Sequence, residues 1–250
     1  RFLPLPAGQC SGAARIHTYS CTMMKKTITF MFALLAVAQL WAEEKAKPIV
    51  SILGDSYSTF ESYIPRGNAT WYKATPPDNR TDVVDVKQTW WWQLISEGGY
   101  ILGVNDSFSG ATVSYTGYGG QDYRDRSFLT RLPRIVPSDI LLIFGATNDS
   151  WTGGPIGEYR YGDLTRGHYY EFRPALCKLI GEAKNRMPGT RVVFIINTEL
   201  KPEITASIVE VCKHFGVEYI QLHDIDKKSD HPSRKGMIQI KSQVLDFLKN

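Results

Sequence analysis

Short apolar runs that alternate with helix-like segments constrain the fold of this chain more than any other feature. The runs occupy residues 49–53, 100–104, 140–144, 191–197 and 219–222, and helical patterns cover residues 89–97, 127–135, 168–187, 203–215 and 235–248. Runs that are apolar on both faces are typical of parallel strands covered by helices on both sides. The alternation predicts an α/β fold, a three-layer α/β/α sandwich around a parallel sheet of about five strands.

The first 42 residues differ from the rest of the chain. Residues 1–23 carry no helix or strand pattern and precede Met24, so we interpret them as a non-native or over-extended leader. Residues 24–42 combine two lysines with an apolar run that closes on small residues, as a secretory signal peptide does, with cleavage after Ala38 or Ala42. The run is shorter than the roughly 20 apolar residues of a membrane-spanning helix. We therefore expect one domain over residues 43–250, exported to the periplasm or the extracellular space of a bacterium, without stable membrane insertion.

The charge of the predicted mature chain excludes one class of protein. The whole chain carries a net charge of +4, but four of its 29 basic residues and none of its 25 acidic residues precede residue 43. The remaining domain is neutral and lacks the basic surface of a nucleic-acid binder. Cys177 and Cys212 match no metal-binding spacing, and either one disulfide or two buried thiols fits them.

Polar segments follow three of the predicted strands, where functional groups gather in parallel α/β folds. They are Gly54-Asp55-Ser56, residues 105–110 and residues 145–149, and Asp230-His231-Pro232 precedes the last predicted helix. Singly, each also fits an ordinary turn or a helix cap. Together, in this order and at these positions, they resemble the motifs of the SGNH/GDSL hydrolase family over nearly the whole mature chain.

The resemblance implies a flavodoxin-like SGNH hydrolase fold and a role for four residues. Ser56 matches the nucleophile of the family and His231 its base. The backbone N–H groups of Ser56 and Gly110 and the side-chain amide of Asn148 match its oxyanion hole. Acyl transfer needs such a nucleophile, a base within hydrogen-bond reach and donors that face the tetrahedral oxygen. We expect no metal and no cofactor.

Two positions depart from the family pattern. Ala146 stands where the third motif usually has glycine, and alanine fits there unless the backbone requires a positive φ. Lys228 stands three residues before His231, where the family usually has an aspartate. Asp226 takes that role if the loop bulges. Otherwise a backbone carbonyl orients the imidazole and leaves a Ser–His dyad.

Aromatic residues near the motifs indicate the kind of substrate. We expect Trp151, just after Asn148, and Tyr57, next to Ser56, to contact it. These aromatic residues, together with the predicted export of the protein, favour an ester hydrolase that removes short acyl groups, such as acetyl, from carbohydrate. A lipase or thioesterase remains an alternative among the enzymes, and a catalytically inactive carbohydrate-binding relative remains one outside them. The polar residues 61–87 predict a loop that flanks the site and sets specificity.

Overall fold

The central sheet is the frame on which the site is built. A computed structural model describes residues 46–250. The predicted leader and signal peptide, residues 1–42, lie outside this range. The sheet has five parallel strands in the spatial order β2-β1-β3-β4-β5. They are β1 (Ile49–Gly54), β2 (Ile101–Ser107), β3 (Ile140–Gly145), β4 (Arg191–Ile196) and β5 (Glu218–Gln221).

Helices cover both faces of this sheet. They are α1 (Trp90–Gly98), α2 (Phe128–Arg131), α3 (Thr147–Thr152), α4 (Phe172–Arg186), α5 (Pro202–Phe215) and α6 (Arg234–Lys249). One buried cluster joins α1 and α6 to one face of the sheet, and a second joins α2, α4 and α5 to the other. The predicted three-layer α/β/α sandwich is confirmed. Among the described residues, no helix has both the length and the apolar character to cross a membrane.

The apolar side chains of β3 explain why this strand lies in the middle of the sheet. Leu141 and Ile143 pack towards α4 and α5, whereas Leu142 and Phe144 pack towards α1 and α6. All four side chains are fully buried. Each contributes roughly 1.5–3 kcal/mol by leaving water. Because β1, β3 and β4 run in parallel register, their carboxyl ends meet at one edge of the sheet.

Several element boundaries differ from the prediction. The predicted helix over residues 127–135 divides into α2 and a 3-10 helix, Leu132–Arg134, which contains Pro133. Proline lacks the N–H that a continuing α-helix needs. Strand β2 extends to Ser107, and α4 begins only at Phe172, after a 3-10 helix, Arg166–Tyr170. Cys177 and Cys212 are buried free thiols.

A small hairpin, which the sequence did not predict, precedes α6. Its strands are β6 (Lys227–Lys228) and β7 (His231–Pro232), and Lys228 pairs with His231. The two residues between the strands, Ser229 and Asp230, have φ values of 49° and 60°. A two-residue hairpin turn of type I′ needs positive φ at both positions. This turn sets the direction of the His231 side chain.

Candidate active site

Ser56 lies in a tight turn at the carboxyl end of β1. It opens a 3-10 helix, Ser56–Ser58, that is capped by Asp55, whose Oδ1 accepts a hydrogen bond from the Tyr57 N–H at 3.0 Å. Glycine at position 54 avoids a close contact, because a Cβ atom there would lie 2.8 Å from Ser58 Cβ and would also meet Ser107 Oγ. The Ser56 side chain is only 2% exposed. The turn therefore holds the hydroxyl in one place at the edge of the sheet.

His231 is hydrogen-bonded to Ser56 although 175 residues separate them. The His231 Nε2 atom lies 2.9 Å from Ser56 Oγ, and Nδ1 lies 3.0 Å from the carbonyl oxygen of Ser229. A carbonyl oxygen only accepts, so Nδ1 carries the ring proton and Nε2 accepts from the Ser56 hydroxyl. Burial lowers the pKa of His231 to about 4. At neutral pH the imidazole is therefore uncharged and able to accept a proton.

The carboxyl group of Asp226 does not reach His231. It accepts a hydrogen bond from the Ser233 hydroxyl instead, and the Asp226 carbonyl oxygen accepts from the Ser233 N–H at 3.1 Å. The expected bulge is absent because the hairpin places Lys228 across from His231. The expectation that Asp226 orients the base is therefore corrected. The carbonyl of Ser229 takes that place.

Gly110 and Asn148 belong to two loops that are joined by a hydrogen bond. Gly110 has a φ of 83°, a value that favours glycine. The Asn148 Nδ2 atom donates to the Ala111 carbonyl oxygen at 2.9 Å, and its Oδ1 accepts from the Tyr118 hydroxyl at 2.9 Å. These bonds fix the orientation of the amide and leave its second N–H free to donate. Within residues 46–250, the backbone N–H groups of Ser56 and Gly110 likewise donate to no protein acceptor.

The buried side chain of Asp149 also joins the same two loops by hydrogen bonds. Its carboxylate accepts from the N–H groups of Val113 and Ser114 at 2.7 and 3.0 Å, and from the Ser114 hydroxyl at 2.9 Å. Burial raises the pKa of Asp149 to about 6.

Ala146, which precedes α3, has a φ of 71°. This position does require the left-handed conformation, so alanine is strained where the family usually has glycine.

Tyr57 and Trp151, the two expected substrate contacts, have different surroundings. Tyr57 is fully buried, packs edge-on against Phe144 at 5.8 Å and donates its hydroxyl to the carbonyl oxygen of Asp230. The expectation for Tyr57 is corrected: its ring is part of the core and supports the turn before His231. Trp151 is 41% exposed, and its ring centroid lies 5.8 Å from that of His231. It is therefore available to a ligand.

A third aromatic residue, Trp71, was not singled out in the sequence. It comes from the predicted flanking loop, and its indole lies parallel to the His231 ring, with 3.6 Å between the ring centroids and 6° between the planes. The Arg80 guanidinium lies 5.0 Å from the Trp71 ring centroid. The one available signal was the adjacent pair of large aromatic residues, Trp71 and Tyr72, inside a mostly polar segment.

Other parts of the described chain offer less chemistry. Two surface cavities, of about 530 and 330 Å³, are lined by none of the residues of this site. Within residues 46–250, no three His, Cys, Asp or Glu side chains are grouped so that they could hold a metal ion. The reactive groups of this region therefore converge at the carboxyl edge of the sheet.

A parallel α/β sandwich that brings a serine and a histidine into hydrogen-bond contact at this edge defines a class, the SGNH-type hydrolases that act on esters. Comparison with known proteins gives the family. The model of the GDSL-like lipase/acylhydrolase family matches residues 48–248, and the chain belongs to this family.

Solved structures agree with this assignment. A GDSL-like lipase from Bacteroides ovatus is 48% identical, with a TM-score of 0.80 over 82% of this chain and 99% of its own. A second, from Bacteroides uniformis, is 47% identical, with a TM-score of 0.80 over 82% and 97%. A carbohydrate esterase shares the fold at 15% identity, with a TM-score of 0.59 over 84% and 70%. None of the curated proteins compared with the chain matches it.

Proposed function

We propose that this protein is an exported serine esterase that removes short acyl groups, acetyl above all, from carbohydrate. The observation that carries the proposal is the 2.9 Å contact between Ser56 Oγ and the neutral, buried His231. A serine hydroxyl becomes nucleophilic when such a base accepts its proton. The Ser229 carbonyl holds the proton on the other ring nitrogen, so only Nε2 is free to act.

The proposed reaction has two stages. In the first, His231 Nε2 accepts the Ser56 proton while Oγ attacks the ester carbonyl. The N–H groups of Ser56 and Gly110 and the free amide N–H of Asn148 donate to the tetrahedral oxyanion. The imidazolium then gives its proton to the leaving alcohol, which leaves an acyl group on Ser56. In the second stage, His231 accepts a proton from water while the water oxygen attacks the acyl carbonyl. The tetrahedral intermediate then releases the acid, and the imidazolium returns its proton to Ser56 Oγ.

The aromatic surface beside the site supports a sugar as the alcohol. Trp151 and Tyr118 are 41% and 40% exposed, and the flat, apolar face of a sugar ring stacks on such rings. The carbohydrate esterase with the same fold agrees with this choice. The absence of a carboxylate at His231 is the observation that favours the second candidate, a relative that binds carbohydrate without cleaving it.

Substitution of the proposed nucleophile tests the proposal. The wild-type protein should react with a fluorophosphonate and should hydrolyse 4-nitrophenyl acetate and acetylated xylan in preference to a long-chain ester. Ser56→Ala should abolish labelling and lower kcat at least about 1000-fold, since nucleophile and base act as a unit. Ser96→Ala, on the exposed side of α1, is the matched control and should label normally.

The other outcomes separate the candidates. A folded wild-type protein that stays unlabelled but binds xylan would establish the carbohydrate-binding relative. Preference for a long-chain ester or a thioester, with Ser56-dependent labelling, would replace carbohydrate by lipid or thioester as the substrate.

A further inference from the structure

The imidazole of His231 has one hydrogen bond besides the one to Ser56. In a Ser–His–acid triad, the acid holds the ring in one tautomer and one orientation. Here the Ser229 carbonyl sets the tautomer through Nδ1. The ring turns about its Cα–Cβ and Cβ–Cγ bonds, and a carbonyl oxygen accepts hydrogen bonds over a broad range of directions, so a single bond restricts this rotation only loosely. A contact on the face of the ring restricts it further.

The indole of Trp71 makes such a contact. Its ring is 6° from parallel to the His231 ring, at a centroid distance of 3.6 Å. Trp151 and Tyr57 approach the same imidazole at 5.8 and 5.2 Å, but both are tilted by more than 50°. Of these three rings only Trp71 covers a face of the imidazole, and it therefore opposes tilting in a way that the others do not.

Trp71 is itself tied to the nucleophile turn. Its backbone N–H donates to Thr59 Oγ1 at 2.9 Å, and the same Thr59 hydroxyl donates to the Ser56 carbonyl oxygen at 2.9 Å. The next residue, Tyr72, donates its hydroxyl to the Pro232 carbonyl oxygen at 2.9 Å. The segment that carries Trp71 is thus joined on one side to the turn of Ser56 and on the other to the strand of His231.

We propose that Trp71 is a positioning residue that shares the orienting role of the absent acid with the Ser229 carbonyl, holding the His231 ring so that Nε2 points at Ser56 Oγ. The proposal deepens the proposed esterase function and rests on it. The residues 61–87 then contribute to catalysis as well as to the edge of the site.

Trp71 also shields His231 from water, which gives the proposal a second consequence. Burial is the largest influence on the His231 pKa; Lys227 and Arg80 lower it further, while Asp230 and the bond to Ser229 raise it. The phenol rings of Tyr57 and Tyr72 are the other titratable groups packed against the imidazole. Removing the indole should let water reach the ring and move its pKa upwards, towards the ordinary value near 6.5.

The kinetic test compares Trp71→Leu with Trp71→Phe. Trp71→Leu removes the flat ring and should lower kcat for 4-nitrophenyl acetate about 10- to 100-fold with KM changed less than about 3-fold, a fraction of what a general base contributes. The acidic limb of its kcat profile should move up by about 1–2 pH units. Trp71→Phe keeps a flat face and should recover most of both. An unchanged limb, or a loss that Phe does not rescue, would overturn the proposal.

A second measurement does not depend on activity. Imidazole titration by NMR, with the His231 signal assigned from His231→Gln, should give a higher pKa in Trp71→Leu than in the wild type. Trp92→Leu is the control, because Trp92 packs on Trp91 and Tyr63 and makes no ring contact with His231. An equal pKa in folded Trp71→Leu and wild type contradicts the proposal.

Two further outcomes are distinguishable. If Trp71→Leu does not fold, Thr59→Val removes the hydroxyl that ties Trp71 to Ser56 and should shift kcat and the His231 pKa in the same directions by a smaller amount; no shift in that variant would count against Trp71. If the wild type shows no Ser56-dependent hydrolysis, the esterase function fails, while the NMR titration still decides whether Trp71 holds and shields the ring.

Discussion

At the scale of single residues, this site differs from a Ser–His–acid triad because a backbone oxygen, and not a carboxylate, accepts the hydrogen bond from His231 Nδ1. Asp226 is the acid that the sequence offers for this role, but its carboxyl group is occupied by the Ser233 hydroxyl. Lys228, at the usual place of the acid, instead donates from Nζ to Asn79 Oδ1 at 2.9 Å. The proposed base therefore has a backbone oxygen, and no carboxylate, at Nδ1.

Substitution of Asp226 tests this arrangement. Asp226→Asn keeps an oxygen that accepts from Ser233 and should leave kcat/KM for 4-nitrophenyl acetate within about 3-fold of the wild type, because no charge is lost at the base. Its acidic limb should also stay near pH 4, where the neutral imidazole forms. His231→Gln, measured in parallel, should lose about 1000-fold or more. A tenfold loss in Asp226→Asn would show that the carboxylate acts on His231 in solution.

At the scale of the elements, the entry into α3 is strained. Ala146 adopts a φ of 71°, where a residue with a Cβ atom costs roughly 1–2 kcal/mol relative to glycine. Ala146→Gly relieves this strain but adds entropy to the unfolded chain, so we expect a net stabilisation of about 0.5–1 kcal/mol, read from urea unfolding.

A matched variant checks the sign of that effect. Ala206→Gly changes an exposed position inside α5 and should cost about 1 kcal/mol, since glycine is unfavourable in a helix interior. If Ala146→Gly destabilises the protein by a similar amount, the backbone at Ala146 is not strained.

The elements also show how far the sequence determines the fold. Strands β3 and β4 were predicted because their apolar residues are consecutive and bounded by turn formers. Helix α3 was missed because it is only six residues long and consists mainly of polar residues that are typical of turns. The hairpin of β6 and β7 was missed because strands of two residues carry no periodicity. Pairs such as these depend on tertiary contacts rather than on local preference.

The site was predicted unevenly for the same reason. Ser56, Gly110, Asn148 and His231 come from motifs that local sequence displays, although their catalytic roles stay predictions. Trp71 has no such motif: it matters through a contact with a residue 160 positions later, which no local pattern encodes. The buried Arg131 is similar, since its pairing with Asp106 is decided by packing between α2 and the end of β2.

At the scale of the whole molecule, three buried groups make stability depend on pH. Burial raises the pKa of Asp55 to about 7 and of Asp149 to about 6, and lowers that of His231 to about 4. Between pH 4 and 6 the folded state keeps two carboxyl protons that the unfolded state has lost, while the unfolded state keeps one imidazole proton. The folded state thus binds more protons, and its stability should fall as pH rises from about 4 to 6, by roughly 2 kcal/mol.

Urea unfolding at several pH values measures this slope, and Asp55→Asn isolates its source. The amide keeps an acceptor for the Tyr57 N–H but cannot ionise, so Asp149 and His231 should then nearly cancel and the midpoint should vary little between pH 4 and 6. An undiminished slope in Asp55→Asn would mean that Asp55 does not keep its proton in the folded state.

The carbonyl of Ser229 has a consequence for inheritance. Every residue carries a backbone oxygen, so a codon change at position 229 that is compatible with the positive φ of the turn alters the side chain and leaves the partner of Nδ1 in place. Where an aspartate side chain orients the catalytic histidine, one nucleotide change can replace that aspartate. Here the hydrogen bond to Nδ1 is lost only when the length or the turn geometry of the hairpin changes. Drift at positions 226 and 228 is then permitted, and deletions of single codons between 228 and 231 are the changes that selection must remove.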